Sequence, residues 1–267
     1  MRPRSLLDDF ATQPDLPLVV GHRGYSSRAP ENTLAAFSLI AESGIPGVEL
    51  DVHRCASGEI VVAHDDTLHR TAGVPLRIAT ALLAELLEHD VGSWFADSFA
   101  GERIPLLEQV FELLAGRCFF DIEIKPYGAR PGRARPGSVE AETVRLIRRH
   151  GLVRRAIVSS FDPFVVRRVR LIAPEIPVAA IYSSSREIPW FLRRSGGRRL
   201  SGATIMKPHY ASAPQAMVRR HHRRGRLVMP WTVDDPEVAR SLAGHGVDAV
   251  VTNRPDEIRN ALRQSRG

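Results

Sequence analysis

From Leu16 onward the chain repeats one unit: a short apolar run, then an amphipathic stretch of helical period, then the next run. Apolar runs of four to eight residues alternating with helical patterns read as βα units, and βα repeats imply parallel strands joined by right-handed crossovers. Strands are expected at residues 16–20, 47–52, 118–124, 156–160, 178–182, 203–206, 227–232 and 249–252. Helices are expected at about 30–43, 106–115, 138–150, 163–172, 188–194, 214–222, 236–244 and 255–263. Eight such units in 267 residues point to one (β/α)8 TIM barrel spanning residues 1–267. An open doubly wound sheet is the alternative, but no Gly-x-Gly-x-x-Gly follows a strand, which argues against its dinucleotide-binding form. Two segments stand outside the alternation. Residues 65–104 form a long connection with one helical stretch, at 79–88, and residues 127–137 read as a Gly-, Pro- and Arg-rich loop.

In such a barrel the active site lies at the C-terminal ends of the strands. Strand one ends in His22 and Arg23, strand two carries Glu49 and Asp51, and strand three carries Asp121, Glu123 and Lys125 on one face. Strand six ends in Lys207, strand seven in Trp231 and strand eight in Asn253. The second strand continues as a hairpin. With Ser57 and Gly58 as a two-residue turn, Ala56 pairs with Glu59 and Asp51 with His64, which brings the imidazole beside the carboxylates.

Glu49, Asp51 and Glu123 offer hard oxygen ligands suited to Mg²⁺ or Ca²⁺ rather than zinc, and three close carboxylates repel unless a cation neutralises them. His22 and His64 can divide the roles of general base and general acid. Arg23 and Lys125 would stabilise negative charge on a phosphoryl group. Together they describe metal-assisted cleavage of a phosphate ester. Lys207 joins the expected mouth on a compositional argument: arginine fills 35 of the 37 basic positions, yet both lysines fall at strand ends. Trp231 is either a core residue or an apolar wall of the mouth. His53 and His209 are possible mouth residues; His69, His89, His150, His221, His222 and His245 read as surface or capping groups.

His22-Arg23-Gly24 through Pro30-Glu31-Asn32-Thr33, then Glu49-Leu50-Asp51-Val52, His64-Asp65, Glu123-Ile124-Lys125 and Trp231-Thr232-Val233 resemble the glycerophosphodiester phosphodiesterase family in order and spacing. The resemblance runs from about Leu18 to Ile258. It implies a (β/α)8 barrel that hydrolyses glycerophosphodiesters to glycerol 3-phosphate and an alcohol. It implies His22 and His64 as the acid/base pair, Glu49, Asp51 and Glu123 as metal ligands, and Arg23 and Lys125 near the phosphate. Residues 65–104 match the family's insertion, which covers the substrate side. The substrate's own 2-hydroxyl is expected to attack phosphorus, giving a cyclic phosphate that water opens. The chain departs from the family's pattern at Asp121, where a neutral residue such as Asn is expected, at Asn253, where Asp is frequent, and at His53.

Net charge is +7, nearly all arginine, with the densest run at residues 219–226. No nucleic-acid motif accompanies it, so no specific nucleic-acid partner is expected, only weak attraction to anionic lipid surfaces. The N-terminus lacks the apolar core of a leader, no stretch reaches membrane-span length, and Cys55 and Cys118 lack metal-site spacing. A soluble cytoplasmic protein is expected. Two other functions fit less of the pattern. One is phospholipase D-type activity on lysolipids or sphingomyelin. The other is a non-catalytic barrel binding anionic lipid or nucleic acid, which has no need of two histidines beside a carboxylate trio.

Overall fold

The computed structural model describes residues 16–125, 132–183 and 201–264. The helix expected at 188–194 and residues 127–131 of the expected loop lie outside these residues. The strands are β1 (Leu18–His22), β2 (Gly47–Arg54), β3 (Ile60–Val62), β4 (Phe119–Ile124), β5 (Ala156–Ser160), β6 (Val178–Tyr182), β7 (Ile205–Pro208), β8 (Leu227–Val228) and β9 (Ala249–Thr252). Eight are parallel, in the order β8-β7-β6-β5-β4-β2-β1-β9, while β3 pairs antiparallel with β2. The two ends meet: Asp248 N donates to Val228 O at 2.9 Å and Val251 N to Pro230 O at 3.0 Å. The sheet is a nearly closed TIM-type barrel. The strand expected at 227–232 is shorter than its apolar run because Pro230 has no N–H to give.

The helices start where local chemistry permits. Thr33 and Ser138 cap theirs by accepting from Ala36 N and Ala141 N. Asp162 and Asp235 do the same ahead of Pro163 and Pro236, which sit at the first helical position. The stretch expected as one helix at 79–88 divides into a 3₁₀ turn, Ile78–Thr80, and a helix, Leu83–Leu87, because Ala81 is extended.

Strand side chains alternate between two apolar layers. One face packs on the surrounding helices. The other fills the barrel floor with Leu18, Val20, Phe119, Ile157, Ala179, Ile205, Met229, Ala249 and Val251. A side chain on Gly47 would sit 2.4 Å from the Phe119 ring, so glycine there makes room for the largest floor residue. Further along the same inward face, β1, β2, β4, β5 and β7 turn polar with His22, Glu49, Asp121, Ser159 and Lys207, while Ile181 and Trp231 stay apolar. The strands thus run from an apolar floor to a charged mouth.

The hairpin register differs from expectation by one residue. Val52 pairs with Val62, His53 with Val61 and Arg54 with Ile60. Cys55 N bonds Glu59 O at 3.0 Å and Gly58 N bonds Cys55 O at 3.1 Å, leaving a three-residue loop in which Gly58 takes φ +114°. Three-residue hairpin loops end with a residue of positive φ, and glycine meets that need. Asp51 therefore lies opposite Ala63, whose N–H bonds Asp51 O at 3.0 Å, rather than opposite His64. β3 ends at Val62, and His64 reaches the mouth from the bend that follows. The 65–104 insertion has a small core of its own, in which Leu68, Ile78, Ala81, Leu86, Val91 and Ile104 pack on Cys55 and Val61 of the hairpin.

Candidate active site

Parallel register assembles the acidic cluster. β2 and β4 align Glu49 with Asp121 and Asp51 with Glu123, while β1 and β2 align His22 with Glu49. Glu49, Asp51 and Glu123 each offer an oxygen within 4.8 Å of the other two, and all three are buried. Two oxygens bound to one cation at about 2.4 Å lie at most about 4.8 Å apart, so the donor set has the span and hardness that Mg²⁺ or Ca²⁺ requires. Burial and the neighbouring Asp51 push the Glu49 carboxyl well above the usual carboxylate range, a penalty that a bound cation would relieve.

Positive groups frame the cluster. Lys125 Nζ lies 3.0 Å from Glu123 Oε1 and 3.6 Å from Asp51 Oδ1. Arg23 Nε lies 3.3 Å from Asp51 Oδ2, and Arg23 N donates to Glu49 Oε2 at 3.1 Å. Burial alone would raise Asp51, but Lys125 and Arg23 outweigh it and hold its carboxyl well below the usual range. Asn32 Nδ2 donates to Asp51 Oδ2 at 2.9 Å. Both Arg23 and Asn32 take positive φ, 54° and 56°, so the loop after β1 bends over the cluster. Within the Pro30-Glu31-Asn32-Thr33 motif, Thr33 caps the helix. Beyond that motif, the signal for Asn32 was that Asn tolerates the left-handed region.

His22 is held through Nδ1, 2.7 Å from Asn253 Oδ1, and its Nε2 lies 3.9 Å from Glu49 Oε2. Burial, helped by Arg23, lowers its pKa to about 4. His64 is held through Nδ1 by Asp65 Oδ1 at 2.7 Å. From Asp65 a chain of ion pairs runs back to the cluster. Arg70 Nε lies 2.7 Å from Asp65, Arg70 Nη2 2.5 Å from Glu31, and Arg23 Nη1 2.9 Å from that same Glu31 oxygen. The insertion's first helix, His69–Ala72, is thereby tied to the β1 loop.

His22, Arg23, Glu49, His53, His64, Glu123, Lys125, Lys207 and Trp231 all line one cavity of about 950 Å³. Asp51 lies just behind its wall, 1 % exposed. His53 is part of the wall, its Nε2 3.3 Å from His64 O. Lys207 reaches the cavity, but its ammonium is engaged by Asp121 Oδ2 at 2.5 Å. The departure at Asp121 is thus matched by a buried lysine. Trp231 packs edge-on against Phe161 at 5.5 Å, and its Nε1 donates to Lys207 O at 3.0 Å. His209 stands beside Trp231 with ring centroids 5.7 Å apart. His221 differs from expectation, being 2 % exposed rather than on the surface, while His69 is exposed as expected and also lines the cavity. Arg70 and Asp234 went unmarked in the sequence because each acts through contacts distant along the chain. The arginine run takes in the last turn of the helix Gln215–His222 and the turn before β8, which places it at the end of the barrel opposite the mouth. Among the described residues no helix is long and apolar enough to cross a membrane.

Comparison with known proteins gives consistent matches. The family model described as "Glycerophosphoryl diester phosphodiesterase family" matches residues 22–257. The glycerophosphodiester phosphodiesterase of Caldanaerobacter subterraneus subsp. tengcongensis is 34 % identical over 248 residues, covering 92 % of this chain and 98 % of that protein. A solved phosphodiesterase of Oleispira antarctica, in complex with the product sn-glycerol-3-phosphate, superposes with a TM-score of 0.79 at 30 % identity, covering 93 % of this chain and 97 % of that one. A glycerophosphodiester phosphodiesterase from Agrobacterium tumefaciens superposes with a TM-score of 0.75 at 30 % identity, covering 92 % and 100 %.

Proposed function

The chain belongs to the glycerophosphoryl diester phosphodiesterase family, phosphoric diester hydrolases, and from that premise we propose that its mouth cleaves glycerophosphodiesters to glycerol 3-phosphate and an alcohol with a divalent cation and two histidines. One observation supports this reading: Glu49, Glu123 and both histidines line a single cavity, with Asp51 of the same buried carboxylate trio just behind its wall. Glu49, Asp51 and Glu123 would hold Mg²⁺ or Ca²⁺. That ion, when bound, supplies positive charge to the phosphoryl oxygens and acidifies the attacking hydroxyl. Arg23 and Lys125 flank the same position and add donors for the phosphate.

His22 is the base, because burial keeps its ring neutral near pH 7. Nε2 takes the proton as the substrate's 2-hydroxyl oxygen bonds to phosphorus. His64, oriented by Asp65, gives a proton to the departing alcohol oxygen as its bond to phosphorus breaks. Water then opens the cyclic phosphate with the two roles exchanged. The wall of Phe161 and Trp231 faces the carbon chain of the glycerol or the alcohol. Lys207 acts from below, as a fixed charge paired to Asp121. The described residues serve as one barrel domain with the 65–104 insertion beside the mouth. Two unpaired buried cysteines suit action in the reducing cytoplasm.

The test is a product assay. The protein is offered glycerophosphocholine, glycerophosphoethanolamine, lysophosphatidylcholine and sphingomyelin, with Mg²⁺, Ca²⁺ or chelator, and both glycerol 3-phosphate and the released choline or ethanolamine are measured. Turnover of the glycerol diesters alone is expected. Turnover confined to the lysolipid or sphingomyelin would replace this reading with the phospholipase D-type one, and no turnover on any diester would remove it.

A further inference from the structure

We propose that Asp234 is a positioning residue that, acting through the Asn253 amide, sets the tautomer of His22 and leaves its Nε2 without a proton toward the mouth. As a statement about catalysis this rests on His22 being the base; as a statement about the ring it does not.

The argument is a count of donors and acceptors. Asp234 follows the Trp231–Val233 segment, and Asn253 follows β9, so the two come from separate loops. Asp234 Oδ1 accepts from Asn253 N at 2.8 Å and from Thr252 Oγ1 at 2.9 Å. Its Oδ2 lies 2.6 Å from Asn253 Nδ2. An ionised carboxylate only accepts, so the Asn253 atom facing it must be the NH₂ group. The amide cannot flip without setting its oxygen against that carboxylate. Asn253 Oδ1 is thereby turned the other way, where Ser26 Oγ donates to it at 2.7 Å and His22 Nδ1 lies at 2.7 Å. An amide oxygen also only accepts, so Nδ1 carries the hydrogen. In the neutral ring the single N–H is then spent on Asn253, and Nε2 is left as a lone pair on the side of Glu49. The logic is that of any base histidine whose orientation comes from an acceptor behind it. Here the acceptor is a neutral amide, and the charge that fixes it sits one residue further back.

Exchanging the two residues separates this from simple bracing. In Asp234→Asn, the new amide keeps an oxygen for Asn253 N and Thr252 Oγ1 but presents NH₂ to the NH₂ of Asn253. The relief is a flip of Asn253, which turns its NH₂ on His22 Nδ1 and drives the ring proton to Nε2. In the double variant Asp234→Asn/Asn253→Asp, the amide at 234 donates to a carboxylate at 253, and that carboxylate accepts from Ser26 and His22 as the amide oxygen did. Every hydrogen bond is restored, and only the one between residues 234 and 253 has its donor and acceptor exchanged.

The experiment is ¹⁵N NMR of the histidine rings in [¹⁵N]histidine-labelled full-length protein near neutral pH, with the His22 signals assigned by their loss in His22→Asn, alongside kcat and KM on glycerophosphocholine. The wild-type ring is expected to show Nδ1 protonated and Nε2 as the bare nitrogen. Asp234→Asn should invert or mix the pattern and lower kcat by about 10²-fold or more, the usual scale for a general base, with KM within about twofold. The double variant should recover the wild-type pattern and kcat to within about threefold. A wild-type ring protonated at Nε2 overturns the proposal, and this holds even if Asp234→Asn does not fold. So does a folded Asp234→Asn with unchanged ring signals, or a double variant no better than the single one. An inverted tautomer with unchanged kcat upholds the role of Asp234 and takes the base role away from His22.

Discussion

Removing the Lys207 ammonium should destabilise the protein by a predictable amount, and removing Asp121 with it should return most of that loss. Lys207 is 2 % exposed and Asp121 fully buried. Nζ lies 2.5 Å from Asp121 Oδ2 and donates to Ser159 Oγ at 3.3 Å, while Ser159 Oγ donates to Asp121 Oδ1 at 2.8 Å. Burial alone would push the ammonium toward neutrality, but Asp121 and Glu49 outweigh it and hold the lysine above its ordinary range. The pair is therefore charged, and Lys207→Met leaves one carboxylate alone in the barrel interior. Breaking a buried pair from one side costs about 3–5 kcal/mol. At about 2–4 °C per kcal/mol for a chain of this size, melting should fall by roughly 6–20 °C. Replacing both members with well-packed uncharged groups is near neutral or stabilising, so Lys207→Met/Asp121→Asn should melt within a few degrees of wild type. Asn at 121 also keeps an acceptor for Ser159. Urea unfolding of wild type, both single variants and the double variant closes the cycle. A Lys207→Met protein within about 1 kcal/mol of wild type would refute the buried-pair argument. A double variant no more stable than Lys207→Met would show that the lysine's packing, not its charge, is what matters.

Chelation with extended dialysis should abolish turnover and Mg²⁺ or Ca²⁺ restore it. The same cations should raise the melting temperature of wild type but not of Glu49→Gln/Glu123→Gln, and full activity in excess chelator would remove the metal from the reaction. His64→Ala should lower kcat by at least about 10²-fold with melting unchanged, because the residue stands on the bend after β3 and not in a core; near wild-type turnover would take it out of the mechanism. Arg70→Ala cuts the link between Asp65 and Glu31, and should lower kcat less than His64→Ala while Arg70→Lys restores part of it; equal loss in both variants would show that a single point charge cannot hold Asp65. Asp90 accepts from Gly92 N, Ser93 N, Ser93 Oγ and Gly101 N, so Asp90→Ala should open residues 90–101 to limited proteolysis while the barrel resists; a cleavage pattern identical to wild type would mean that other contacts hold the loop.

What was legible in the sequence was whatever depends on neighbours along the chain. The alternation of apolar runs and helical stretches set the barrel, because each strand and helix is a local pattern with a fixed period. Strand period then placed Glu49 with Asp51, and Asp121 with Glu123, on inward faces, and the rule that barrel sites gather at strand C-termini did the rest. What the tertiary structure alone decided was pairing across the chain. The hairpin register turned on one glycine of positive φ and a three-residue loop, which a count of residues between two runs does not reveal. The matching of Asp121 to Lys207 spans 86 positions and became visible only when β4 and β7 were rolled into one interior. The same holds for Arg70 on Glu31 and for Asp234 behind Asn253. Strand pattern shows which way a side chain points. It does not show what stands opposite it, because an ion pair or hydrogen bond forms over about 3 Å of space whatever the separation in sequence, and only barrel closure sets those distances.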